Sequence, residues 1–106
     1  MFPDTIEQHL KDNGLYCTIL YDTVKKLQSQ VVVELGVGPG LSTMAILGAL
    51  KETGGVLYSI DIGHEVYFSG VLNAVKEIRS GKFINPKQWN FILADSTEIG
   101  KIWNQH

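Results

Sequence analysis

The chain has little that could cross-link, hold a metal or grip nucleic acid. One cysteine, Cys17, excludes an internal disulfide, and three scattered histidines offer no ligand spacing such as H-x-x-x-H, so no metal site is expected. Nine Lys and Arg against eleven Asp and Glu give a net charge of −2. That balance lacks the basic excess that neutralising phosphates requires, and no nucleic-acid partner is expected. The one basic pair, Lys25-Lys26, reads as a solvated helix face. No apolar run approaches the ~20 residues that span a bilayer, and the acid-bearing stretch MFPDTIEQHLKDN has no secretory apolar core. A cytoplasmic chain without a membrane partner is expected. Internal repeats and low-complexity segments are also missing.

What is present, 44% hydrophobic and 19% charged residues in a chain of 106, suits one small domain with one core. TIEQHLKD reads as a short helix opened by Asp4 or Thr5 and stopped at Asn13-Gly14. A second helix is expected over about 15–28, with Ile19, Leu20, Val24 and Leu27 at helical spacing. VVVEL, residues 31–35, is an apolar run without alternation, which predicts a strand buried on both faces. A helix over 41–51 follows, with Met44, Ala45, Leu47 and Leu50 for the core and Gly54-Gly55 as its stop. VLYSIDI at 56–62 predicts a second strand. A helix over 65–79 should bury Phe68, Val71, Leu72, Val75 and Ile78, and the turn formers Gly81, Asn85 and Pro86 then lead to a third strand, NFILAD at 90–95. Ser96 or Thr97 can cap a helix from about Glu98. Strands alternating with helices across short connections imply a parallel α/β sheet. The ends that carry Glu34, Asp61 and Asp95 then share one rim.

Between the first strand and the next helix, Gly36, Gly38 and Gly40 form G-x-G-x-G. Such a turn lets the backbone lie close to a ligand, and the helix behind it presents N–H groups and a positive dipole end. A triphosphate loop needs Lys and then Ser or Thr after the last glycine, and Leu41 stands there instead. The dinucleotide fingerprint G-x-G-x-x-G fails at the same Leu41, and Pro39 is atypical for it. Glu34 would add repulsion to desolvation beside a pyrophosphate, yet would suit a cationic ligand.

With these residues VVVELGVGPGLS resembles the first motif of class I S-adenosylmethionine-dependent methyltransferases, YSIDI their second and FILADS their third. The resemblance spans residues 31 to about 99, and its ELGxxxGxS form is similar to the catechol-type O-methyltransferase branch. It implies a Rossmann-like three-layer sandwich with a parallel sheet in which the order 3-2-1 is present. Residues 1–30 would be N-terminal helices and 31–106 a partial domain binding S-adenosyl-L-methionine. Gly36, Gly38 and Gly40 would surround the methionine part, Glu34 would orient it, and Ser42 would bond its carboxylate. Asp61 would take both ribose hydroxyls, with two charge-assisted hydrogen bonds of roughly 1.5–3 kcal/mol each. Ile62 would lie on the adenine face, and Asp95 and Ser96 at the adenine edge.

Each residue also has a plainer reading. The glycines serve a tight turn, Asp61 ends a strand, Ser42 and Ser96 start helices, His64 sits in an exposed loop, and Cys17, Trp89 and Trp103 pack. An NAD(P)-binding oxidoreductase domain and a non-catalytic methyltransferase-like scaffold stay open as alternatives. Complete members of the class continue into further strands, so the resemblance implies a chain truncated before strand four. Its catalytic residues are then unknown, its methyl acceptor unidentified, and the chain inactive by itself. An unpaired VVVEL edge, or bare sheet faces, would make it a homo-oligomer.

Overall fold

Three parallel strands form one open sheet, and the expected α/β class is what the chain adopts. The computed structural model describes residues 2–61 and 68–94. Readings that fall on Ile62, His64, Asp95, Ser96, Thr97, Glu98 and Trp103, or on the Phe68 and Val71 side chains, lie outside the described residues.

The elements are α1 (Ile6–Leu27), β1 (Val31–Leu35), α2 (Leu41–Thr53), β2 (Val56–Asp61), α3 (Phe68–Arg79) and β3 (Trp89–Leu93), with a 3-10 turn at Pro86–Gln88 before β3. Thr5 caps α1 by accepting the Gln8 N–H at 3.2 Å. Two helices were expected here, with a stop at Gly14. Gly14 does leave helical geometry, at φ 76° and ψ −163°, but that ψ is not the left-handed cap, and the helix resumes beyond a kink. Thr18 spans the kink by donating its hydroxyl to the Gly14 carbonyl at 3.2 Å. The left-handed stop falls instead at Gln28, whose N–H returns to Lys25 and Val24.

The strand order is β1-β2-β3, with Val33 beside Tyr58, Glu34 beside Ser59 and Ser59 beside Phe91. Paired residues in a parallel sheet share a face, so Val32, Glu34, Leu57, Ser59, Trp89 and Phe91 form one face. α2 and α3 pack there: Thr43 of α2 bonds Glu34, and Arg79 of α3 lies over the Trp89 ring at 5.7 Å. α1 in turn lies against α2, and Val24 and Leu20 join the same core. Gly48 makes this approach possible, since a Cβ there would come within 2.6 Å of Ile6 Cδ1.

Burial departs from expectation on three elements. VVVEL is not buried on both faces: Val31, Val33 and Leu35 are 54%, 44% and 62% exposed. β1 is an edge strand, and only its Val32 and Glu34 side faces the helices. In α3, Val75 and Ile78 are buried as expected, but Leu72 is exposed. On α1, Val24 is buried while Ile19 and Leu27 are exposed, because α1 meets α2 along a narrow stripe.

Candidate functional site

The three strands end side by side. Gly36 N–H bonds the Ile60 carbonyl at 2.7 Å, and Ala94 N–H bonds the Asp61 carbonyl at 2.9 Å. The tips of β1, β2 and β3 therefore share the rim on which the candidate residues were expected to meet.

The turn after β1 needs its glycines. Gly36, Gly38 and Gly40 have φ of 87°, 55° and 89°, all in the left-handed region that other residues adopt at a cost. Gly40 is the most constrained, since a Cβ there would meet Ile78 Cδ1 at 2.9 Å and Phe2 at 3.2 Å. A Cβ on Gly36 or Gly38 would meet nothing within 4 Å, so the backbone there borders open space. Asp61 fixes the turn to the neighbouring strand, its Oδ2 accepting the Val37 N–H at 2.9 Å. β2 thus positions the glycine turn through the residue expected to bind ribose.

Glu34 lies beneath the turn, buried, at the first turn of α2. Its Oε1 accepts the hydroxyls of Thr43 at 2.5 Å and Ser59 at 2.8 Å, and its Oε2 accepts that of Ser42 at 2.7 Å. Ser59 in turn accepts the Trp89 Nε1–H at 2.9 Å. A carboxylate buried with three hydroxyl donors near a helix N-terminus is stabilised by both the hydrogen bonds and the dipole. One consequence concerns Ser42. A hydroxyl has a single proton, and here Glu34 accepts it, so the Ser42 side chain has no donor left for the carboxylate it was expected to bond, and only its backbone N–H could serve. Gly40, the N-cap of α2, provides no side-chain cap for that end of the helix.

A third support comes from α1. His9 is fully buried between Phe2 and Phe83, with ring centroids at 5.7 and 5.5 Å. Its Nε2 lies 2.9 Å from the Leu41 carbonyl, which can only accept, so Nε2 carries the proton and Nδ1 accepts from Asn13 Nδ2 at 3.2 Å. Cys17 donates to the same carbonyl at 3.6 Å. Cys, His and Asn near one point suggest a nucleophile, but Cys17 is buried, and desolvation raises its thiol pKa, which keeps the thiolate away. The group is a structural clamp on the first residue of α2.

Sequence reasoning missed His9, Thr43, Ser59 and the Trp89 indole as parts of this arrangement. Ser-Thr after the last glycine was the one available sign that Glu34 had nearby hydroxyl partners. Among the described residues no group of three or more His, Cys, Asp or Glu could hold a metal, and no helix is long and apolar enough to cross a membrane. Comparison with known proteins finds no matching family model and no matching curated protein.

Proposed function

We propose that this chain is the cofactor-binding half of an S-adenosylmethionine-dependent methyltransferase, active on an acceptor that this half does not itself define. The observation that carries the reading is the buried Glu34 carboxylate beneath a glycine turn with open space at Gly36 and Gly38. A pyrophosphate at this turn would face a negative charge already placed at the helix N-terminus, which disfavours a dinucleotide. A zwitterion with an adjacent sulfonium gains from the same charge.

In this reading the turn backbone and the Ser42 N–H hold the amino-acid part. Asp61, already oriented by the Val37 N–H, holds the ribose, with Ile62, Asp95 and Ser96 towards the adenine. Glu34 acts on the ligand through the field of its charge and by fixing Ser42 and Thr43, since its oxygens are engaged. Bound S-adenosylmethionine would supply an electrophilic methyl group for in-line displacement by an acceptor atom. A cytoplasmic site of action goes with a soluble cofactor of this kind.

Titration calorimetry of the folded chain tests this reading with S-adenosylhomocysteine and NADH in parallel. Binding of the first and not the second is expected. Asp61→Ala should weaken it at least tenfold, or ~1.4 kcal/mol. Asp61→Asn keeps an acceptor for the Val37 N–H while removing the charge, so a loss there too separates ribose recognition from loosening of the turn. NADH binding alone would favour the oxidoreductase alternative, and a folded protein that binds neither would favour a scaffold.

A further inference from the structure

His9 brings an imidazole to a place where packing does not require one. It is fully buried on α1 between the Phe2 and Phe83 rings. An apolar side chain would fill that gap without desolvating two ring nitrogens. Both nitrogens are engaged, Nε2–H donating to the Leu41 carbonyl at 2.9 Å and Nδ1 accepting from Asn13 Nδ2 at 3.2 Å. Asn13 Nδ2 also donates to the His9 carbonyl at 2.8 Å, which holds the amide in the orientation that keeps the imidazole proton on Nε2. The ring therefore has one tautomer and one direction.

The acceptor, too, has no need of this bond. In a helix the carbonyl of the first residue receives the N–H four residues on, so Leu41 is satisfied within α2. It nevertheless receives His9 and, at 3.6 Å, the Cys17 thiol from the far side of the Gly14 kink. The Leu41 C=O and the Ser42 N–H belong to one planar trans peptide and point in opposite directions, so fixing the carbonyl fixes the N–H. A hydrogen bond at the carbonyl also polarises the unit and strengthens its N–H as a donor. That N–H stands in the first turn of α2, where the backbone donors have no intrahelical partner. Glu34 holds Ser42 by its hydroxyl, and His9 holds it by its backbone.

We infer that His9 is a positioning residue for the ligand site: through the Leu41 carbonyl it aims the Ser42 N–H at the carboxylate of the bound amino-acid part. The inference rests on the function proposed above, and it extends that site to α1, which lies outside the strands and the turn. His9 is enclosed by its own neighbours and acts on the ligand only through the peptide it holds.

Titration calorimetry with S-adenosylhomocysteine, joined to NMR of the ligand-free chain, tests this. His9→Leu keeps a side chain between the two rings and removes the donor. Affinity should fall about tenfold, the worth of one hydrogen bond. In the ligand-free chain the Leu41 carbonyl-carbon and Ser42 amide-nitrogen resonances should move upfield together. His9→Gln has an N–H of similar reach and should restore both the affinity and the resonances, a rescue that a role in packing alone would not give. A folded His9→Leu with unchanged affinity overturns the inference, and so does a His9→Gln as weak as His9→Leu. Asn13→Ala, at a half-buried position, leaves the ring in place and removes the lock on its tautomer. It should weaken binding by a smaller factor, and if His9→Leu does not fold, unchanged affinity and unmoved resonances in Asn13→Ala overturn the inference instead. A wild-type chain that does not bind S-adenosylhomocysteine sinks the proposed function, and the resonances then decide alone. Resonances unmoved in His9→Leu overturn the hold on the peptide, and resonances that move and return with His9→Gln uphold it.

Discussion

α2 and β1 are both apolar runs without alternation, and they end in opposite environments. From Thr43 to Leu50 every residue of α2 is buried, whereas β1 leaves Val31, Val33 and Leu35 exposed. Composition does not separate them. α2 is enclosed by α1 on one side and β2 on the other, while β1 stands at the sheet edge with cover on a single face. An all-round apolar helix predicts its own enclosure, since no helix of that kind is stable with a wet face. An apolar strand predicts only that something belongs on its second face.

Truncation at matched positions puts the largest effect on this contrast. Leu47 is fully buried, and Leu47→Ala should lower the unfolding free energy by about 2–5 kcal/mol, read by urea titration with circular dichroism. Leu35→Ala should stay within about 0.5 kcal/mol at concentrations too low for association, because Leu35 is 62% exposed. Equal losses would mean that the edge is covered in the monomer, and the contrast between the two runs would collapse.

β1 is tied to α2 at one polar point, and that point can be cut. Glu34→Ala removes the acceptor of Thr43 and Ser59, both fully buried, and should cost about 1–3 kcal/mol through stranded hydroxyls. Glu34→Gln keeps an acceptor oxygen but brings an N–H₂ towards donors, and should cost less. The readout is the same urea titration, with indole fluorescence following Trp89, whose Nε1–H rests on Ser59. If Glu34→Ala costs no more than Leu35→Ala, then β1 is held to the helices by Val32 packing and backbone pairing, not by its carboxylate.

Local signals made much of this readable. The three strands, the glycine turn and the shared rim follow from residues adjacent in sequence, and so does the stop of α2 at Gly54, which adopts a left-handed cap, whereas the strand order came only with the family resemblance. The Glu34 arrangement was only half visible. Ser42 and Thr43 stand near it in sequence, but Ser59 and Trp89 arrive through the register of β2 and β3, which no spacing in the chain encodes. His9 was invisible for the same reason, its acceptor lying 32 residues away. β1 was misjudged because burial of a strand depends on what stands beside it, and its own five residues do not say.

The smallest expected effect tests whether enclosure alone holds α2. In its last turn Glu52 accepts the Tyr21 hydroxyl at 2.8 Å and pairs with Lys25 at 3.2 Å, so α1 and α2 also share an exposed polar clamp. The Tyr21 hydrogen bond, followed by that from Lys25, lowers the Glu52 pKa from its usual 4.5. A carboxylate with a depressed folded pKa contributes stability above its unfolded value and loses it as pH falls through the folded one. Glu52→Gln does not titrate there, so its urea midpoint should lie slightly below wild type near neutral pH, and the gap should close below about pH 4.5. Exposed clamps of this kind contribute little, and a deficit approaching that of Leu47→Ala would mean that α2 is held as much by its polar end as by its buried surface.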